Sequence, residues 1–343
     1  MSDNRLKNIN RRQIVIKAIN HEQTEIIPYQ MAFSKDTASR LRKKFKNPRW
    51  EATVGNFFAS TGDGKDKMLA GNRRQDHFGV IWRMDQKGDF GVVDNCLIEA
   101  PNLKSYSFPE PDEKLIRSRC KKLVGKRNKD LFKMFSIGFS LFERAWTLRG
   151  GIENIMKDFV RYPDFTLALF DKICEYNLGV LDIALKFSDK MDAVYFGDDW
   201  GMQRGTLMGL KHWRKFIKPS LSRMYKRVKD EGLYVCQHSC GDIYTLFPDL
   251  VEIGLDIYNT FQPEVYDIEK VKAEFGDRLT FYGGISTQTL LPFGTPEEVK
   301  KEVKRMMEIM GKNGGYVVAP THAITNDIPT ENILAFLEVV QNQ

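Results

Sequence analysis

A (β/α)8 barrel with an N-terminal elaboration is the fold class that this 343-residue chain predicts, and three observations lead to it. From residue 132 onward, short apolar runs alternate with longer amphipathic stretches, the order expected of parallel strands joined by helices. Polar clusters recur directly after those apolar runs, where a barrel gathers its chemistry at one mouth. No Gly-x-Gly-x-x-Gly opens a helix after a strand, which argues against a doubly wound open sheet.

In chain order, residues 10–20 predict a helix and 25–33 a strand interrupted by Pro28. Between 34 and 125 the pattern is irregular: helices near 35–44 and over 50–58, a hairpin around Gly88-Asp89-Phe90-Gly91, and a charged helix from Asp112. Strand 132–137, helices across 141–159 and 163–187, and strand 193–196 come next. Helix 210–230, strand 233–237, helix 244–252, strand 256–260 and helix 267–275 continue the order, followed by strand 279–282, helix 295–310, strand 316–319 and helix 330–340. The helix at 295 has the fullest signature. Thr295 can cap it, Pro296 takes the first helical position and Glu298 completes a capping box, while Val299, Val303, Met306 and Met310 repeat on one face as core. No Pro/Gly/Ser-rich linker divides the chain, so one domain is expected over 1–343, with the elaboration and first strand in 1–130 and regular repeats in 131–343.

Composition narrows the function classes. Hydrophobic residues at 42% and charged residues at 28% describe an ordinary globular protein, and no apolar run has the length of a membrane span. The start Met1-Ser2-Asp3-Asn4-Arg5 is polar rather than signal-like, so a cytoplasmic location without a membrane partner is the expectation. Cys96, Cys120, Cys174, Cys236 and Cys240 are odd in number and scattered, which favours reduced thiols over a disulfide framework. The net charge of +7 lies on helix-like stretches with no zinc-finger spacing or basic arm, so an anionic small molecule or acidic partner suits it better than nucleic acid.

The chemistry concentrates in His238-Ser239-Cys240-Gly241-Asp242, after the apolar run 233–237. Alternate residues of an extended segment share a face, so His238 and Cys240 can reach one point. Imidazole and thiolate together suit zinc, and a catalytic zinc takes three protein ligands with one position open. His322, after the run 316–319, is the expected third ligand; the competing reading makes Cys240 a buried apolar thiol. In a barrel, Asp198-Asp199, His238 and Cys240, Gln262, Gly283-Gly284 and His322 all follow strands and face one mouth. Asp198, Asp199 and Glu143 are candidates for orienting a ligand or acting as a base. Gln203 and Arg204 are candidate anchors for a substrate carboxylate or phosphate, Gln262 a further substrate contact, and Gly283-Gly284 would let a substrate approach the backbone. Asp242 is expected to cap the helix that follows.

These residues resemble a known family. Asp198-Asp199-Trp200-Gly201-Met202-Gln203-Arg204-Gly205, His238-Ser239-Cys240-Gly241-Asp242, Tyr282-Gly283-Gly284-Ile285-Ser286-Thr287-Gln288, Ala319-Pro320-Thr321-His322 and Asp76-His77-Phe78-Gly79-Val80-Ile81-Trp82 are similar to segments of the uroporphyrinogen decarboxylase superfamily. The resemblance implies a (β/α)8 barrel and one of two chemistries: cofactor-free decarboxylation of a tetrapyrrole, or zinc-dependent methyl transfer between a corrinoid and a thiol or other small acceptor. The decarboxylase's arginine-rich N-terminal motif is absent after Pro28, which favours the methyltransferase branch. That branch carries His-x-Cys and a second Cys near the C-terminus; here His322 stands at the last position. The resemblance thus implies one zinc per chain, a corrinoid as co-substrate or on a partner protein, a small methyl donor or acceptor, and a homodimer as a further assembly. A tetrapyrrole carboxy-lyase and a non-catalytic corrinoid- or metal-binding protein are the alternatives.

Overall fold

The computed structural model describes residues 9–84 and 91–343. Seven parallel strands form its central curled sheet: β1 (Phe58–Gly62), β2 (Phe132–Phe139), β3 (Ala193–Gly197), β4 (Tyr234–His238), β5 (Ile257–Phe261), β6 (Thr280–Ile285) and β7 (Tyr316–Pro320), neighbours in that order. Strands β2 to β7 follow the apolar runs, because a strand buried on both faces reads as continuous hydrophobicity rather than alternation. Helices connect them, among them Phe142–Leu148, Ile152–Arg161, Pro163–Ala184, Lys218–Lys229 and Pro296–Met310. In the last, Glu298 N–H donates to Thr295 Oγ1 at 3.3 Å and Thr295 N–H to Glu298 Oε2 at 2.7 Å, and Val299, Val303, Met306 and Met310 are all buried.

The irregular first third departs from expectation. The predicted helix over 50–58 is a short 3-10 turn, Trp50–Thr53, followed by strand β1. Gly55 sits between them at φ +77°, a left-handed conformation that ends a helix. Residues 25–33 form no regular strand, since Pro28 has no N–H to give. The segment nevertheless bridges both edges of the sheet: Tyr29 and Phe33 pair in parallel with Val318 and Ile324, and Phe57 N–H donates to the Tyr29 carbonyl at 3.3 Å. A four-stranded antiparallel sheet, Lys67–Leu69, Arg73–Gln75, Ile81–Arg83 and Val92–Val93, occupies the region read as irregular. The expected hairpin turn at 88–91 lies largely outside the described residues, although the strands flanking it pair antiparallel. Among the described residues no helix is long and apolar enough to cross a membrane.

Register positions the site. His238 at the end of β4 lies opposite Gly197 of β3 on one side and Asn259 of β5 on the other, so the residues after Gly197 and around Asn259 meet the His238-Ser239-Cys240 turn.

Candidate metal centre

The adjacent acids Asp198 and Asp199 part ways at the end of β3. Asp198 is fully buried, and its carboxylate accepts from Phe142 N–H at 2.8 Å, Glu143 N–H at 2.6 Å and Trp200 Nε1 at 3.0 Å. It therefore caps the helix Phe142–Leu148 from outside. Burial raises its pKa to about 7, and those three donors oppose the rise. Asp199 turns toward the His238-x-Cys240 pair: its Oδ1 lies 3.5 Å from His238 Nε2 and accepts from the Cys240 N–H at 2.8 Å.

The donor atoms of Asp199, His238 and Cys240 all lie within 4.8 Å of one another. Cys240 Sγ is 3.4 Å from His238 Nε2. With metal–nitrogen and metal–oxygen bonds of about 2.05 Å, a metal–sulfur bond of about 2.3 Å and tetrahedral angles, S···N should be about 3.5 Å and O···N about 3.4 Å. The observed edges of 3.4 and 3.5 Å match an ion of zinc's size. The imidazole is oriented for this, because its Nδ1 lies 2.7 Å from Asn259 Oδ1, an acceptor that fixes the proton on Nδ1 and leaves the Nε2 lone pair toward Cys240 and Asp199. Asn259 Oδ1 also accepts from Tyr195 Oη at 3.2 Å.

The expected third donor, His322, is not in this group. Its ring centroid is 6.4 Å from that of His238, and its Nδ1 accepts the Ala323 N–H at 2.8 Å. Asp199, in the turn after β3, lies against the β4 turn, while His322, after β7, lines one cavity with His238 and the other with Cys240. Asn259 escaped the sequence reading; its signal is a polar residue within the apolar run of β5.

Glu143, half-buried on the neighbouring helix, has its pKa pushed well above the carboxylate range by burial, with Asp199 and Asp198 adding to it. Its sequence neighbour Arg144 pairs with Asp76 at 2.7 Å rather than with Glu143. Burial, with Asp199 and Glu143 nearby, likewise pushes the Cys240 thiol up when no cation is present. Such a thiol ionises on binding a metal.

Two cavities meet this cluster. One of about 270 Å³ lies inside the sheet and is lined by Phe58, Met134, Tyr195, His238, Tyr282 and His322 among others. The second, about 310 Å³, reaches Cys240, Gln203, Thr260, Gln262 and His322. Among the described residues no Lys or Arg lines either one. Gln203 thus faces the site, and Gln262 also accepts from Gly241 N–H at 2.9 Å, bracing the metal-side turn. Arg204 is exposed at the tip of the hairpin Gly201–Met202/Gly205–Thr206 and lines neither cavity. The room left by Gly283 and Gly284 is taken by the protein, not by a substrate. A Cβ on Gly283 would meet Phe261 N at 2.7 Å and one on Gly284 the Tyr316 hydroxyl at 2.4 Å, so both glycines serve close packing of the sheet. Asp242 accepts from Tyr244 N–H at 2.9 Å, a local turn contact rather than the expected helix cap: Ile243 is the N-cap of Tyr244–Leu246, and neither that turn nor the helix Phe247–Glu252 has a side-chain cap.

A uroporphyrinogen decarboxylase from Pelodictyon phaeoclathratiforme is 26% identical over 249 residues, 68% of this chain and 67% of that protein. A methylated-thiol–coenzyme M methyltransferase from Methanosarcina mazei is 24% identical over 132 residues, 38% of this chain and 33% of its own. In structure the chain is similar to a methyltransferase from Methanosarcina mazei with a TM-score of 0.72 at 18% identity, covering 96% of this chain and 98% of that one, which supports the shared fold. The sequence pattern of the uroporphyrinogen decarboxylase (URO-D) family matches residues 127–343, the stretch that carries strands β2 to β7 and all three clustered donors, and the chain belongs to that family.

Proposed function

We propose that this protein is a zinc-dependent methyltransferase that moves a methyl group between a corrinoid, free or on a partner protein, and a thiol or similar small acceptor, with the segment 28–34 closing the seven strands into a (β/α)8 barrel. The observation that carries the reading is the Asp199, His238 and Cys240 cluster, whose edges suit a tetrahedral ion, at the base of two cavities without cationic lining. Thiolate and carboxylate together supply two negative charges, which balance a divalent cation; an imidazole at the third position would leave one unbalanced. When bound, zinc supplies the positive charge that keeps an acceptor thiol ionised near neutral pH. The chain's own residues do the rest. Asn259 aims His238, the Cys240 amide holds Asp199 in place, and Glu143, whose pKa is raised by burial and by the nearby Asp199 and Asp198, is the candidate proton donor. Tetrapyrrole decarboxylation is disfavoured, because a substrate with many carboxylates needs a cationic partner for each charge removed from water.

Metal analysis of purified protein should give about one zinc per chain. The double variant His238→Ala/Cys240→Ala should lose it while keeping the fold, and the wild type should demethylate methylcobalamin in the presence of a small thiol. Wild-type protein made with ample zinc yet containing none, or metal-free protein that decarboxylates uroporphyrinogen, would overturn the proposal.

A further inference from the structure

A third concavity, about 740 Å³, lies on the flank of the barrel between β1 and the helix Glu113–Leu123, away from the clustered donors. Four cationic side chains line it: Arg11, Arg119, Lys122 and Arg127. Its single acidic lining residue among the described ones, Glu51, is already engaged by Arg42 through two guanidinium nitrogens. None of the four cations has a carboxylate within 4.0 Å among the described residues, so much of the chain's formal charge of +7 gathers there without compensation. Arg119 is held in place by the Gly62 and Gly64 carbonyls, which accept from its Nη1 at 2.5 and 2.6 Å.

Like charges around one concavity repel, and a cleft of one sign focuses its field on an incoming counter-ion. Guanidinium forks match oxyanions in geometry, and the volume falls within the range of small-molecule sites. We propose that this groove is a non-catalytic binding site for a multivalent oxyanion, a phosphorylated or polycarboxylated small molecule. Phe58 and Ser60 of β1 line both this groove and the central cavity, so β1 separates the occupant from that cavity.

Calorimetric titration of the full chain with inorganic tripolyphosphate and, separately, with citrate tests this. Either should bind, weakening as salt rises; tighter tripolyphosphate marks a phosphorylated ligand and tighter citrate a polycarboxylate. Lys122→Glu/Arg127→Glu, two exposed side chains outside the core, should lower affinity at least about tenfold. Lys211→Glu/Lys215→Glu on a distant helix should leave it unchanged. Arg11→Gln serves as a milder second variant, expected to weaken binding without reversing charge. The proposal is overturned if neither anion binds at physiological salt, if charge reversal in the groove has no effect, or if only polyglutamate binds.

Discussion

Replacing Asn259 by alanine isolates how much of the proposed zinc affinity depends on orientation rather than on the donors themselves. The variant keeps Asp199, His238 and Cys240 but removes the acceptor 2.7 Å from His238 Nδ1. Without it the imidazole is free to place its proton on either nitrogen and to rotate. Loss of such an outer partner of a metal-ligating imidazole typically lowers metal affinity by about 10–100-fold, or roughly 1.4–2.7 kcal/mol. Zinc competition against a chromophoric chelator at fixed pH should therefore show a Kd rise within that range, with stoichiometry still one. Tyr195→Phe removes a neighbour that donates to the same Asn259 oxygen at 3.2 Å, and should cost less than about tenfold because His238 keeps its acceptor. An Asn259→Ala protein that binds zinc as tightly as wild type would refute the assigned orientation, whatever its activity.

Three further outcomes concern the scaffold. Arg144→Ala strands the Asp76 carboxylate, which is paired at 2.7 Å with both side chains nearly buried; chemical denaturation should show a loss of about 3–5 kcal/mol, and a loss below about 1 would mean the pair is solvated. Gly284→Ala should cost about 2–5 kcal/mol, from a φ of +94° and a Cβ 2.4 Å from the Tyr316 hydroxyl, whereas Gly64→Ala, with nothing within 4 Å, should stay within about 0.5 kcal/mol; equal effects would sink the packing argument. Burial lowers the Lys272 pKa to about 8, so the folded state pays for its charge below that pH and is relieved of it as pH rises toward the ordinary lysine value. Lys272→Met should therefore stabilise the protein at pH 7, by an amount on the order of 1 kcal/mol after solvent screening, and the gain should shrink between about pH 8 and 10.5; a gain independent of pH would show that the charge is not the cause.

Local rules carried much of this protein into view. Apolar runs bounded by helical stretches located strands β2 to β7, because strands buried on both faces cannot alternate, and the Thr295 capping box marked a helix start from three residues. Period-two geometry paired His238 with Cys240, since that relation depends only on the backbone between them. What the sequence could not decide were relations across the sheet. Strand β1, Phe58–Gly62, has no local signal, and the helix expected over 50–58 is only the turn Trp50–Thr53; the left-handed Gly55 ends that turn and pairing with β2 imposes the extended form. Asp198 and Asp199 are neighbours of the same chemistry, yet one caps a helix and the other faces His238, a division set by N–H groups at Phe142, Glu143 and Cys240. His322, like Cys240, follows an apolar run, and nothing local ranks it against Asp199 as a donor. Side-chain type tells what an atom can bind, but which donors converge to within one ion's diameter is fixed by strand order and register, and those come from the packing of residues distant in the chain.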